Sequence, residues 1–332
     1  MVAEMSANHN QSFERAIQIV EAAAKAGCDA VKIQTYTADT MTIDASGKEF
    51  FIEDEQSLWK GRSLYRLYQE ASTPWKWHEA IFRKCAELGL ISFSTPFDLT
   101  AVDFLETLNV PAYKIGSFEN TDIPLLRKVG ATGKPVLMST GMSTLEELTE
   151  AVEAIRDTGN DQIVLLKCTS AYPAAPGECH LRTIAHMRES FGLTVGLSDH
   201  TLGVGIALAG IALGARVVEK HFTLSRADGG VDSAFSLEPG EMALLVREAR
   251  KVYDAVGDVH YGPTPQEKKS LQFRRSIYVV EDMQEGETFS QQNLRIIRPG
   301  LGLCPKFYEK ILGRHAKSAL RKGTPLTWDM VL

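Results

Sequence analysis

The chain has 332 residues, of which 44% are hydrophobic and 23% are charged, so it can bury the core of one large domain and a small one, or of two medium domains. Its formal net charge of −6 argues against a nucleic acid or an anionic membrane as the main partner. Five cysteines without a CxxC pair fit a reducing cytoplasm, and the sequence contains neither a run of 18 apolar residues nor an export leader pattern.

Short β-branched runs alternate with helical patterns from the amino end to about residue 256. The runs predict strands at 2–4, 31–34, 91–94, 112–115, 136–139, 163–167, 194–197 and 217–220. Helical patterns lie at 13–26, 101–108, 123–129, 145–158, 181–190, 204–213 and 240–256. Such alternation predicts parallel strands, and eight units in roughly 250 residues are typical of an α/β fold of the (β/α)8 or TIM barrel type. An open doubly wound sheet is the alternative, but no GxGxxG motif follows any of the strands.

The segment 35–73 is too long for a simple connection from a strand to a helix. It is expected to form a lid or a specificity loop, the alternative being a decorative subdomain. We expect residues 1–258 to form the barrel, 259–272 a linker rich in glycine, proline and polar residues, and 273–332 a small domain of strands and loops.

Polar residues end every predicted strand, and in a TIM barrel the chemistry gathers at this end. A single polar strand end is commonly just a helix N-cap, which would explain Ser139 or Ser198 taken alone. Capping does not explain polar residues at all eight ends: Glu4, Lys32, Gln34, Thr95, Lys114, Ser117, Glu119, Ser139, Ser170, Ser198, His200, Glu219 and His221.

Lysines and hydroxyl residues form one subset of these positions. One lysine alone would more commonly be a solvated surface residue. Taken together, point charges and short hydroxyl donors suit a phosphate and a carboxylate held side by side. The members of this subset are Lys32, Thr95, Lys114, Ser117, Ser139 and Ser198.

His200 and His221 end the last two predicted strands, each beside a carboxylate. A lone histidine in such a place is more often a core or loop residue, but neighbouring strands lie roughly 4.8 Å apart, so two imidazoles can share one divalent ion. Two protein nitrogens leave positions open for water or substrate, which favours a catalytic Mn²⁺, Mg²⁺ or Co²⁺ over a closed zinc centre. The residues alone therefore predict a metal-assisted barrel enzyme for a small phosphorylated, carboxylated substrate, and leave its reaction open.

Seven motifs occur in the order found in the sialic acid synthase family, and the chain resembles that family over nearly its whole length. The motifs are Ala3-Glu4 with Ala7-Asn8-His9, Lys32-Ile33-Gln34-Thr35, Ser94-Thr95-Pro96-Phe97, Tyr113-Lys114-Ile115-Gly116-Ser117, Ser139-Thr140-Gly141-Met142, Gly196-Leu197-Ser198-Asp199-His200 and Glu219-Lys220-His221-Phe222. The resemblance implies a TIM barrel followed by a small antifreeze-like (SAF) domain, with Arg298 reaching the partner barrel of a homodimer.

The resemblance also implies the reaction, which is condensation of phosphoenolpyruvate with the open-chain aldehyde of an acetamido sugar, releasing phosphate. Motifs such as Leu58-Trp59 and Ser117-Phe118-Glu119 are most similar to the branch of the family that uses 2,4-diacetamido-2,4,6-trideoxy-L-altrose to form pseudaminic acid. The branches that form N-acetylneuraminate and legionaminate are the alternatives within the family.

Matched motifs imply roles for individual residues. Lys32, Thr95 and Ser198 would hold the enolpyruvate carboxylate. Its phosphate would be held by Lys114, Ser117, Ser139 and Ser170, and the sugar by Gln34, Tyr172, Asp232 and Arg298. His200 and His221 would hold the metal and act in catalysis, with Glu4 and Glu119 as acid/base groups.

Two other classes of function remain open at this point. A Schiff-base aldolase would use Lys114, Lys167 or Lys220 as a covalent nucleophile. A non-catalytic sugar- or ice-binding protein would fit the tail, but it would not need a polar residue at every strand end.

Overall fold

The computed structural model describes residues 1–55 and 57–332, which form two compact units, Met1–Gly257 and Asp258–Leu332. The division lies one residue before the boundary expected after residue 258. Residues 259–272, expected to be a linker, group with the second unit, and a 3-10 helix, Glu267–Phe273, begins within them.

The first unit is a closed barrel of eight parallel strands, which confirms the predicted TIM fold. Each strand pairs with the next, and the first closes the ring by pairing with the last. The strands are β1 (Val2–Glu4), β2 (Ala30–Thr35), β3 (Ile91–Pro96), β4 (Tyr113–Ile115), β5 (Val136–Ser139), β6 (Ile163–Cys168), β7 (Thr194–Asp199) and β8 (Val217–His221).

Helices pack around the outside of the barrel and cover its strands with apolar side chains. They are α1 (Phe13–Ala26), α2 (Ala38–Met41), α3 (Leu64–Ala71), α4 (His78–Glu87), α5 (Leu99–Thr107), α6 (Ile123–Gly130), α7 (Leu145–Arg156), α8 (Thr183–Phe191), α9 (Gly205–Ala212) and α10 (Pro239–Val256). Helix α1 begins after Ser12, whose side chain accepts a hydrogen bond from Arg15 N, and ends at Gly27, which has a φ of 85°.

The predicted helices omitted α4 and the two short helices α2 and α3 of the long insertion. Helix α4 carries a readable signal, because Ile81 and Cys85 are four residues apart and both are buried. Four charged residues within its ten, Glu79, Arg83, Lys84 and Glu87, dilute that pattern.

The second unit has its own small core around an antiparallel pair, β9 (Ser276–Val279) and β10 (Leu294–Ile297), followed by the short helix α11 (Tyr308–Ile311). Most of its remaining residues lie in turns and short bridges, as expected for this segment. In the part of the chain that the structure describes, no helix is long and apolar enough to cross a membrane.

Gly196 in β7 lies close against the backbone of β8 and a side chain of β6. A Cβ built at this position would lie 2.4 Å from Val217 O and 2.6 Å from Leu166 Cδ2, so β7 fits between its neighbours only without a side chain here. The requirement is steric and concerns the barrel wall rather than the chemistry at its mouth.

We expect Gly196→Ala to lower the free energy of unfolding by about 1–3 kcal/mol through this overpacking. Gly240→Ala is the matched control, because Gly240 lies in the first turn of α10 and a Cβ there would meet nothing within 4 Å. Thermal unfolding of both variants should show a lower Tm for the first and an equal or higher Tm for the second. Equal Tm values would contradict the packing argument.

Candidate active site

A cavity of about 530 Å³ opens at the carboxyl ends of the barrel strands. This size is typical of a small-molecule site. Its lining brings together residues predicted from the strand ends and, for Tyr172 and Asp232, from the family resemblance: Lys32, Gln34, Thr95, Lys114, Ser117, Glu119, Ser139, Tyr172, Ser198, His200, His221 and Asp232.

Strand β8 sends alternate side chains to opposite faces. Glu219 and His221 line the cavity, as expected for residues two apart on a strand. Lys220, between them, is only 1% exposed and donates instead to Asp199 Oδ2 at 3.0 Å and to Gly203 O at 3.1 Å. Lys220 therefore holds the loop after β7, and the two residues beside it serve the cavity.

Two lysines and two glutamates form a buried charge network at the floor of the cavity. Lys32 Nζ lies 2.6 Å from Glu4 Oε2 and 3.5 Å from Glu219 Oε1, and Lys114 Nζ lies 3.9 Å from the same Glu219 oxygen. The strand register explains the grouping, because Glu4 pairs with Lys32 on one side and with His221 on the other. Glu219 is thus a counterion shared by both lysines.

The environment separates the pKa values of the two glutamates. Burial raises the pKa of Glu4 to about 7, although Lys32 opposes the rise. Burial acts on Glu219 in the same direction, but Lys114 and Lys32 together hold its pKa below the usual value. Glu219 therefore stays ionised at neutral pH, and Glu4 is the carboxyl that can take up a proton.

The lysines respond differently to burial. For Lys32, Glu219 and Glu4 overcome the cost of burial and raise its pKa, whereas burial lowers the pKa of Lys114. Both amines are also placed beside hydroxyls, with Lys32 Nζ 3.1 Å from Thr95 Oγ1 and Lys114 Nζ 2.7 Å from Ser139 Oγ. Cationic and hydroxyl donors thus alternate across the floor, which is the arrangement that oxyanions require.

Gly141, after β5, makes room for a second group of hydroxyls. A Cβ at this position would lie 2.2 Å from Ser170 Oγ and 2.7 Å from Ser117 Oγ. Gly141 N also donates to Ser117 Oγ at 3.1 Å, so Ser117 accepts from the backbone and keeps its own hydroxyl hydrogen as a donor, within reach of Cys168. Ser170 lies beside this cradle but outside the residues that line the cavity.

The rings of His200 and His221 lie edge-on to each other with centroids 5.3 Å apart, which is the proximity expected at the ends of neighbouring strands. His200 Nδ1 lies 3.0 Å from Thr169 O, so Nδ1 is the donor and Nε2 is the ring nitrogen left for a metal ion. Burial acts to lower the pKa of His200, but the adjacent Cys168 and this carbonyl raise it above its usual value. His221 Nδ1 is buried and has no hydrogen-bond partner among the described residues. Burial, followed by the charge of His200, lowers the pKa of His221 well below its usual value, which favours the neutral, ligating form.

A divalent metal therefore fits the two imidazoles, but only as an open site. In residues 1–55 and 57–332, no group of three or more histidine, cysteine or acidic side chains is arranged to hold a metal ion. Two nitrogen ligands would leave positions open to water or substrate, and an open position is what distinguishes a catalytic from a structural metal site.

A hydrogen-bonded chain lines one side of the cavity. Gln34 Nε2 donates to Ser6 Oγ at 2.9 Å and to Glu4 Oε1 at 3.3 Å, and Ser6 Oγ donates to Asp232. Burial raises the pKa of Asp232. Tyr172 closes this side, with its ring centroid 4.4 Å from that of His200.

Glu119 lies next to the hydroxyl cradle. Its carboxyl group packs against Gly116, where a built Cβ would lie 2.2 Å from Glu119 Oε2. Burial raises the pKa of Glu119 to about 7 despite the charge of Lys114. Glu119 can therefore exchange a proton with a bound group near neutral pH.

Three predicted site residues, Glu4, Ser170 and Arg298, are not part of the lining, and several lining residues had no predicted role. Glu4 sits behind the lining and reaches it through Lys32 and Gln34, whereas Arg298 belongs to the second unit. The lining also includes Ser6, Cys168 and Glu219. Cys168 and Glu219 lie at the ends of predicted strands, but the sequence does not predict that their side chains point into the cavity.

The cavity also bears on the Schiff-base alternative. Lys167 Nζ donates to Cys168 O at 2.7 Å, and neither Lys167 nor Lys220 is among the residues that line the cavity. Lys114 alone of the three candidates faces it, and its amine already lies beside Ser139 and Glu219.

The chain matches a known family along most of its length. Residues 19–261 match the NeuB family, and residues 274–332 match the SAF domain. A pseudaminic acid synthase from Campylobacter jejuni is 41% identical over 326 residues, which cover 98% of this chain and 94% of that protein. An N,N'-diacetyllegionaminic acid synthase from the same species is 35% identical over 319 residues, which are 95% of each chain.

A solved structure supports the same assignment. The N-acetylneuraminic acid synthetase from Leptospira borgpetersenii, determined in complex with citrate, superposes with a TM-score of 0.73 at 27% identity and covers 82% of this chain and 90% of that one. The resemblance to the sialic acid synthase family is thus confirmed. The chain belongs to the NeuB family and carries an SAF domain after its barrel.

Proposed function

We propose that the protein is a pseudaminic acid synthase, which condenses phosphoenolpyruvate with 2,4-diacetamido-2,4,6-trideoxy-L-altrose and releases phosphate. The observation that carries the proposal is the pair of buried lysines, Lys32 and Lys114, each beside a hydroxyl and both sharing Glu219. This floor suits a compact ligand that carries a carboxylate and a phosphate. The 41% identity to a pseudaminic acid synthase, against 35% to a legionaminic acid synthase, favours the altrose as acceptor.

The two anionic groups of phosphoenolpyruvate divide between the two halves of the floor. Its carboxylate binds Lys32, Thr95 and Ser198. Its phosphate binds Lys114 and the cradle hydroxyls of Ser117, Ser139 and Ser170 around Gly141. This placement leaves the enol carbons facing the open side of the cavity, where Gln34, Tyr172 and Asp232 hold the sugar.

The chemistry then needs two proton transfers. C3 of the enol bonds to C1 of the aldehyde and leaves an oxocarbenium carbon at C2, to which water adds. One water proton passes to Lys32, which lines the cavity, as Lys32 gives its own proton to Glu4 at 2.6 Å. The proton on Glu4 returns by the same route to the new C4 oxygen. The second water proton is released as the C2–O bond to phosphate breaks and the keto group forms. Glu119 protonates the departing phosphate oxygen and is then reprotonated by the second water proton.

A metal and a partner subunit complete this proposal. His200 and His221 would hold a divalent ion, Mn²⁺ with Mg²⁺ or Co²⁺ as alternatives, and such an ion supplies Lewis-acid polarisation of a carbonyl oxygen. The orphaned Nδ1 of His221 supports this assignment. Resemblance to the family supports a homodimer in which Arg298 of one subunit completes the sugar site of the other.

The acceptor is tested by offering phosphoenolpyruvate with the diacetamido altrose, with N-acetylmannosamine, or with 2,4-diacetamido-2,4,6-trideoxymannose, and measuring released phosphate. We expect the altrose to give the highest kcat/KM, and mass spectrometry to show a nine-carbon keto acid. Highest turnover of N-acetylmannosamine would assign the protein to the neuraminate branch. A lysine adduct trapped by borohydride would favour an aldolase instead.

Metal dependence is tested by treating the protein with EDTA and then adding back Mn²⁺. We expect phosphate release to be lost and then restored, because only the two histidines hold the ion and it exchanges readily. His221→Asn should lower the bound Mn²⁺ measured by elemental analysis, whereas His260→Asn, an exposed control, should not. Full activity in EDTA would refute the metal assignment.

The pH dependence tests Glu119. Because burial raises its pKa to about 7, Glu119 is protonated below pH 7 and loses its proton above it. If the protonated form is needed by the leaving phosphate, kcat falls as pH rises through 7. Glu119→Gln should lower kcat by roughly 10²–10⁴-fold and remove this falling limb from the pH profile. A limb that persists in the variant would show that another group causes it.

A further inference from the structure

The insertion between β2 and α4 forms one wall of the active-site cavity. Its half-buried side chains reach the lining from α2, from the segment before α3 and from α3 itself. They are Met41, Ile52, Trp59, Leu64 and Tyr68, accompanied by the buried Leu67 and Ala71. We call this set the apolar wall.

The composition of the apolar wall contrasts with that of the floor. Among the described residues of 38–72, no charged side chain lines the cavity. Two ion pairs of this segment, Lys60 with Glu55 and Arg62 with Glu70, lie outside the cavity lining. The cavity therefore has an ionic face for oxyanions and an opposite face that offers mainly carbon to a ligand.

The wall is held in place by contacts with other parts of the barrel mouth. Trp59 Nε1 donates to Val231 O at 2.9 Å, and the Trp59 ring lies 5.9 Å from that of Tyr172. Tyr68 packs edge-on against Tyr36, with ring centroids 6.0 Å apart. Because the indole N–H is already satisfied by Val231, Trp59 presents its apolar ring to the cavity, and it acts as a positioning residue for the wall.

From this geometry we infer that the apolar wall is the specificity determinant for the 6-deoxy end of the acceptor sugar. The inference rests on the proposed function and extends it. The aldehyde carbon C1 must reach the enol at the ionic floor, and C6 is the far end of the open chain, five bonds away. A methyl at C6 is matched by the aliphatic side chains of the wall, Met41, Ile52 and Leu64, against which a hydroxyl would lose its water without gaining a partner.

The expected discrimination is moderate. An apolar surface rejects an analogue that merely adds a hydroxyl by up to about 10²-fold. Floor contacts are shared by both sugars and do not contribute to the difference. The preference therefore depends on the wall and can be removed without damage to the phosphoenolpyruvate site.

The test compares 2,4-diacetamido-2,4,6-trideoxy-L-altrose with its 6-hydroxy counterpart, 2,4-diacetamido-2,4-dideoxy-L-altrose. For the unmodified protein we expect kcat/KM to favour the 6-deoxy sugar by about 10–100-fold. Met41→Gln and Leu64→Gln place an amide in the wall at half-buried positions, and each should reduce that ratio by about tenfold while KM for phosphoenolpyruvate changes by less than about twofold.

Leu58→Gln is the matched control, because Leu58 belongs to the same insertion but is 49% exposed and lies outside the lining. It should keep the original ratio. A preference for the 6-hydroxy sugar in the unmodified protein, or an unchanged ratio in both wall variants, would overturn the inference. No turnover of either sugar with phosphoenolpyruvate would instead count against the proposed function.

Discussion

Lys32 and Lys114 lie on either side of one Glu219 oxygen, in a part of the barrel from which water is largely excluded. A buried charge is tolerated only when it is paired, so replacing any one of these three residues by a neutral one would leave a buried charge without its partner. With Glu219 ionised and Glu4 near its midpoint at neutral pH, the two ammonium groups are incompletely neutralised. An anionic ligand completes the balance, which makes the floor a receptor for oxyanions before any catalytic role is considered.

The same constraint explains why the remaining cavity is divided into zones. Charges concentrated at the strand ends need hydroxyls around them, and Gly141 lets Ser117 and Ser170 come close by having no side chain, as Gly116 does for the Glu119 carboxyl. The sugar-facing side can be apolar only where it lies away from this network. The insertion supplies that side from outside the barrel repeat, so its sequence can vary without disturbing the ion pairs. Substrate choice and phosphate chemistry are thereby separated in the structure.

The sequence predicted the barrel well because its signals are local and repeated. Each strand run and most of the helices stood at the predicted place, and α1 begins and ends at the expected residues. Helix α4 was missed because charged residues dilute its apolar stripe, and the insertion was recognised only as a long segment. Membership of the cavity was largely predictable from strand ends, but the direction of each side chain was not. Register decides that Glu219 and His221 face inward and that Lys220 does not.

The alternation of side chains along β8 explains why this strand carries three ionisable residues in succession. Lys220, on the outer face, binds Asp199 and the backbone of Gly203. Asp199 Oδ1 also accepts a hydrogen bond from Thr201 N at 2.9 Å. His200 lies between the two residues that this ion pair fixes, and its Nδ1 is held by Thr169 O. Strand β8 therefore presents the Glu219 counterion and the His221 imidazole to the cavity. Through Lys220 it also stabilises the position of His200. A neutral residue in place of Lys220 would leave Asp199 buried without its partner, so this lysine is required even though it does not line the cavity.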